Sequence, residues 1–267
     1  MFKVLTVIAV LSAVDCFPLE EAGRCGIQAS QNLVHQNPWT VYLEYLLNGQ
    51  LTHIRCAGTL ISSRHVITAA HCMKHPRFDA LKARLGEYDI EHGRDCVDGI
   101  CTDRIVVIEV ESITVHPDYD NKENDIAVLT LKEDAPYTDF IRPACLPTGD
   151  FKENAVFTAA GWGIIPQRGV YSHVKKSVTL PYFKTDSCQE AFGDKTLPKN
   201  VICAGGAAGV DMCSGDSGGP LVWMKQRAEL WGVISSGSIH CGTAGIPGIY
   251  TKVVNYLDWL NMVIEGK

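Results

Sequence analysis

Asp211-Met212-Cys213-Ser214-Gly215-Asp216-Ser217-Gly218-Gly219-Pro220 sets a serine among three glycines. Taken alone, residues 215–219 read as a turn. A serine hydroxyl is a poor nucleophile at neutral pH, so the string carries chemistry only if a base and an orienting acid stand elsewhere in the chain. Two upstream segments offer them: Ile67-Thr68-Ala69-Ala70-His71-Cys72 and Asn124-Asp125-Ile126-Ala127-Val128-Leu129. Each also has a bland reading. His71 fits a core histidine and Asp125 an ordinary strand-start residue. The three segments together, in the order His, Asp, Ser, are very improbable by chance.

The glycine string also fits Gly-x-Ser-x-Gly, the nucleophile elbow of α/β-hydrolases. That elbow needs its acid and histidine after the serine. Here only His240 follows Ser217, with Glu229 the sole acid between them, and no alternation of strands and long helices surrounds them. The order His, Asp, Ser instead resembles the trypsin and chymotrypsin family of serine proteases, from about Pro38 to the end of the chain. Gly161-Trp162-Gly163 and Pro247-Gly248-Ile249-Tyr250 match further landmarks of that family.

The resemblance implies a division of labour. Ser217 is the expected nucleophile and His71 the base that takes its proton and returns it to the leaving amine. Asp125 is expected to fix the imidazole tautomer. The backbone N–H groups of Gly215 and Ser217 match the oxyanion hole. Asp211, six residues before Ser217, matches the floor of the S1 pocket in trypsin-like members, with Gly237 and Gly248 as small walls. A carboxylate there suits Arg or Lys before the cut bond. The implied disulfides are Cys25–Cys145, Cys56–Cys72, Cys96–Cys101, Cys188–Cys203 and Cys213–Cys241. The small Cys96–Cys101 loop, with Gly86-Glu87-Tyr88-Asp89 before it, looks like the catalytic domain of insect clip-domain proteases of clotting, melanisation and Toll-type cascades. Protein substrates with Arg or Lys at the cut and serpin-type inhibitors are the implied partners. No cofactor or metal is expected, and Glu87 and Asp89 leave a calcium question open.

Two positions depart from the family. Its zymogens are cut after a basic residue before Ile-Val-Gly-Gly, and the new amino terminus pairs with the aspartate beside the nucleophile, here Asp216. Between Cys25 and Pro38 there is no Lys, no Arg and no such string. Asp216 without its partner is therefore expected to turn outward or stay partly solvated, with poor turnover as the result. No clip domain precedes this stretch, so a zymogen-locked homologue acting as a binding module is the rival reading. Ser236 stands where the family usually has an aromatic residue.

The rest of the chain fits this frame. Apolar residues make up 46% of the 267 and charged residues 20%, ordinary for a chain with a buried core. A net charge of -6 argues against nucleic acid. Lys3 followed by the mostly apolar 4–14 reads as a secretory signal over 1–16 rather than a buried first strand, and is too short to span a bilayer. Residues 17–37 are then a residual pro-segment and 38–267 the protease domain, a secreted monomer with no membrane segment. Of eleven cysteines, ten remain after removal of Cys16, an even number suited to an oxidising compartment. A zinc cluster of Cys56, His65, His71, Cys72 and His75 matches no standard spacing. β-like runs cover 39–47, 50–55, 65–68, 104–110, 125–131, 155–159, 176–180, 230–234 and 249–253. Asn48-Gly49 between the first two is a hairpin signal. Val253, Tyr256, Leu257, Leu260, Val263 and Ile264 recur at helical spacing as a docking face. The expected fold is all-β: two packed antiparallel six-stranded barrels, roughly 39–140 and 151–253, with a C-terminal helix.

Overall fold

A computed structural model describes residues 24–74, 78–166, 168–193, 195–238 and 240–266. The expected signal over 1–16, the linker up to residue 23 and His75 lie outside the described residues. Strands dominate. In the first half they are β1 (Thr40–Leu47), β2 (Gln50–Leu51), β3 (Cys56–Leu60), β4 (His65–Thr68), β5 (Ala80–Leu85), the small pair β6 (Cys96–Val97) and β7 (Ile100–Cys101), β8 (Val106–Val115) and β9 (Ala127–Leu131). The second half has β10 (Val156–Gly161), the small pair β11 (Ile164–Ile165) and β12 (Val170–Tyr171), β13 (Lys176–Phe183), β14 (Val201–Gly205), β15 (Pro220–Met224), β16 (Ala228–Ser236) and β17 (Pro247–Lys252).

Both halves close. The order β1-β3-β4-β9-β8-β5 returns to β1, and β2 is a short appendage on its hairpin partner. The order β10-β13-β14-β17-β16-β15 returns to β10. All these pairings are antiparallel. Closure pairs each of these barrel strands on both sides, so neither barrel has an open edge. Asn48 (φ 52°) and Gly49 (φ 76°) make the expected turn, both in the left-handed region. The second arm is shorter than its sequence run. It leaves the ladder after Leu51, and 52–55 bend away.

Each barrel has its own apolar interior. Val41, Leu43, Val66, Ile67, Val128 and Leu129 fill the first and Phe157, Leu180, Ile202, Trp231 and Tyr250 the second. The terminal stripe forms a 3-10 turn (Val253–Tyr256) leading into a helix (Leu257–Ile264), and Val253, Tyr256 and Leu260 join the first core. The stripe is thus a docking face within the molecule. A short helix over Ala70–Met73, here α1, follows β4; Thr185–Phe192 forms α2, and the terminal helix is α3. All five disulfides form as paired above. Cys56–Cys72 ties β3 to α1, closing a loop short enough to be worth about 3 kcal/mol. No helix among the described residues is long and apolar enough to cross a membrane.

Candidate active site

The two barrels meet where the chemistry-bearing loops converge. β4 is fully buried beyond its first residue and delivers His71 at the start of α1. Asp125 lies just before β9, held by the Thr251 hydroxyl on β17, which donates to its carbonyl at 2.8 Å. Ser217 precedes β15, and its carbonyl accepts from the Ala57 N–H of β3 at 2.8 Å. Backbone from each barrel is therefore bonded to the other beside the site.

Asp125 is buried and both its oxygens are occupied. Oδ1 accepts from the His71 backbone N–H at 2.8 Å. Oδ2 accepts from His71 Nδ1 at 2.8 Å and from the Ser235 hydroxyl at 2.6 Å. Burial by itself would raise the Asp125 pKa, but the bonds from His71 and Ser235 outweigh it and hold the group below the usual carboxylate range. An ionised carboxylate only accepts, so the ring proton sits on Nδ1 and Nε2 carries the lone pair. The His71 side chain keeps 32% of its surface and faces an open cleft of about 730 Å³. Ser214, Gly215 and Ser217 line the same cleft. Nε2 lies 3.8 Å from the Cys72 sulfur, which is bound in its disulfide and has no proton to give. The Ser217–His71 bond is the one contact of the expected set that this resting arrangement does not make, and such bonds often tighten only with substrate.

Gly215 has φ 98°, open to glycine and costly for other residues. A Cβ there would also strike the Tyr171 ring. Among the described residues, neither the Gly215 nor the Ser217 N–H has an internal acceptor, which leaves both free for an oxygen in the cleft. Asp211 is half-buried. Its pKa is raised by burial, partly offset by N–H bonds from Gly242 at 3.2 Å and Met212 at 2.8 Å. A Cβ on Gly237 would reach van der Waals contact with Gly248, and one on Gly248 would strike the Tyr250 ring.

Asp216 departs from expectation. It points inward and is buried. Gly163 N–H donates to Oδ1 at 2.6 Å and Cys213 N–H to Oδ2 at 2.9 Å. These two donors replace the solvent that an outward turn would have sought. Glycine at 161 and 163 is needed for this, because a Cβ at either position would collide with the carboxylate. Among the described residues no cation pairs with it. Burial pushes its pKa up to about 6 against the two backbone bonds.

The Cys56, His65, His71, Cys72 and His75 grouping, set aside above as a zinc site, has lost its thiols. Cys56 and Cys72 are consumed by their disulfide. Glu87 is buried and paired with Arg84 at 2.5 Å. Asp89, His92 and Asp95 do bring ligand atoms within 4.8 Å of one another. Ser235 and Thr251 were not legible as site residues. Only a serine directly after the run 230–234 could have hinted at the first.

Two closed barrels with these loops at their junction define a serine-protease architecture, and residues 27–260 match the trypsin family. The chain belongs to that family. The match begins ahead of Pro38. The chain is 41% identical over 256 residues to a phenoloxidase-activating enzyme of Bombyx mori, covering 85% of this chain and 58% of that protein. It is 36% identical to the CLIP domain-containing serine protease HP8 of Bombyx mori (90% and 72% covered) and 36% identical to the serine protease ea of Drosophila melanogaster (91% and 70% covered). The chain thus spans just over half of the first of these relatives and about seven-tenths of the other two.

Proposed function

We propose that this protein is a secreted serine endopeptidase that cuts after Arg or Lys through an acyl-enzyme, in an extracellular proteolytic cascade. The observation that carries the reading is the doubly bonded His71–Asp125 pair opening, through His71, onto the cleft that Gly215 and Ser217 line. In this reading Ser217 Oγ attacks the scissile carbonyl carbon as its proton passes to His71 Nε2. The carbonyl oxygen takes the charge and is met by the Gly215 and Ser217 N–H groups. The tetrahedral intermediate collapses, the C–N bond breaks, and Nε2 returns the proton to the leaving amine. Water repeats the sequence on the ester. Asp125 keeps the proton on Nδ1 and offsets the imidazolium charge. Asp211 receives the substrate cation. Protein zymogens and serpin-type inhibitors are the proposed partners, and the protein acts as a monomer.

One observation favours a second reading, a zymogen-locked or non-catalytic homologue: Asp216 has no cationic partner among the described residues. Turnover of Arg esters against Phe esters tests the first reading. Arg esters should be preferred by at least a hundredfold, and Asp211→Ser should cost several kcal/mol on Arg substrates by stranding the cation. Equal rates on Arg and Phe would sink the assignment. Inserting a cleavable Arg-Ile-Val-Gly-Gly segment between Cys25 and Pro38, then cutting it, should raise the rate by orders of magnitude. No gain on cutting would mean that Asp216 already holds the oxyanion donors in place.

A further inference from the structure

The cleft beside Ser217 runs along residues 51–56, where the chain leaves the β1–β2 hairpin, and Asp211 lines a separate cavity. Arg55 and Tyr171 line both this cleft and the adjoining cavity of about 360 Å³. The Arg55 guanidinium lies over the Tyr171 ring, 4.5 Å from its centroid. That ring in turn packs against Gly215, whose N–H is a proposed oxyanion donor. Two guanidiniums stand in this wall, and they differ. Arg84 is saturated, bonded to Glu44 at 2.9 Å and to Glu87 through Nε at 2.8 Å. Among the described residues Arg55 has no such acid, and its buried Nη1 has no hydrogen-bond partner. Arg55 borders the cleft with its guanidinium stacked and oriented, and a planar carboxylate is the group such a fork pairs with best.

We infer that Arg55, braced by Tyr171, selects substrates with Asp or Glu on the leaving-group side of the cut. This rests on the endopeptidase reading above and adds to it a second charge test of opposite sign. Asp211 does not line the cleft that Ser217 shares with Arg55, so with the substrate cation drawn to Asp211 that cleft is left for the chain beyond the scissile bond. Ala57 is bonded to Ser217, and two Cα steps from Ala57 to Arg55 span at most about 7.6 Å. An extended peptide advances about 3.3 Å per residue, so the second residue after the cut reaches Arg55. The preferred sequence is therefore basic before the bond and acidic two residues after it.

Three internally quenched peptides differing only at that position (Glu, Ala or Lys) test this. At about 0.1 M salt the wild-type protein should show kcat/KM in the order Glu, Ala, Lys, with roughly tenfold between the ends. Arg55→Glu should reverse the order, and Arg55→Lys should keep its direction with a smaller span. An Arg anilide, which has no residue in that part of the cleft, reports the endopeptidase reading by itself and shows that each variant is folded. If the anilide is not cut, fluorescence anisotropy of the same peptides on Ser217→Ala decides, with the Glu peptide expected to bind tightest. A wild-type protein that favours Lys or is indifferent, or a preference for Glu that survives Arg55→Glu, overturns the proposal.

Discussion

Asp216 is where burial and charge conflict most directly. The carboxyl has two backbone donors and no cation among the described residues, and its pKa of about 6 stands well above the unfolded value of 3.8. The folded state therefore holds the proton more tightly than the unfolded chain. The stability this group contributes is complete below about pH 4 and is lost as pH rises through about 6, amounting to about 3 kcal/mol. The stability difference between the wild-type protein and Asp216→Asn, measured by urea unfolding, should shift by about 2 kcal/mol between pH 4 and pH 6.5, against the wild type at the higher pH. A difference that stays constant across this window would mean the carboxyl ionises normally. Asp125 does not confuse the comparison, since its pKa is depressed and its stability is lost only at lower pH. A new amino terminus placed against Asp216 would stabilise the carboxylate and reverse the slope.

At the scale of elements, α3 is held by one apolar row. Leu260 is completely buried among first-barrel residues, and the Tyr256 hydroxyl anchors the preceding turn to Asn124 at 3.0 Å. Leu260→Ala should cost about 2–5 kcal/mol of folding stability. Ester turnover per folded molecule should be unchanged, because the row touches the core and not the cleft. A loss below 1 kcal/mol in calorimetry would mean that α3 is only loosely docked. This helix was legible because its apolar spacing is regular, and the first hairpin because Asn48-Gly49 suits only one turn. Strands β3, β5, β14 and β15 were not. Cys56–Leu60 is buried throughout and so lacks alternation, and Pro220–Met224 begins inside the glycine string. Helix α2 is as long as α3 but largely polar, with Cys188 its buried residue, so it shows no apolar period. Of the site, His71, Asp125 and Ser217 could be named from sequence because their neighbours are distinctive. Ser235, Thr251 and Arg55 could not, since a lone hydroxyl or guanidinium takes its meaning from what the fold puts beside it. The inward turn of Asp216 was missed for the same reason: its donors come from the distant Gly163 and the local Cys213 N–H groups.

For the molecule as a whole, neither barrel suffices. The first supplies His71, Asp125 and the Arg55 wall, and the second supplies Ser217, Gly215 and the Ser235 hydroxyl that bonds Asp125. Hydrogen bonds from Ala57 to Ser217 and from Thr251 to Asp125 lock the halves in register. A cleft at such a junction can read a substrate with different chemistry on each side of the cut. The central claim, that this junction activates Ser217 as a nucleophile, is tested most directly by mass spectrometry of the protein after treatment with a fluorophosphonate. Only a serine with a working base attacks that phosphorus at a useful rate. The account predicts a single adduct on Ser217, lost in Ser217→Ala and strongly slowed in His71→Ala. An adduct on another residue, or labelling of Ser217 at the same rate without His71, would contradict it.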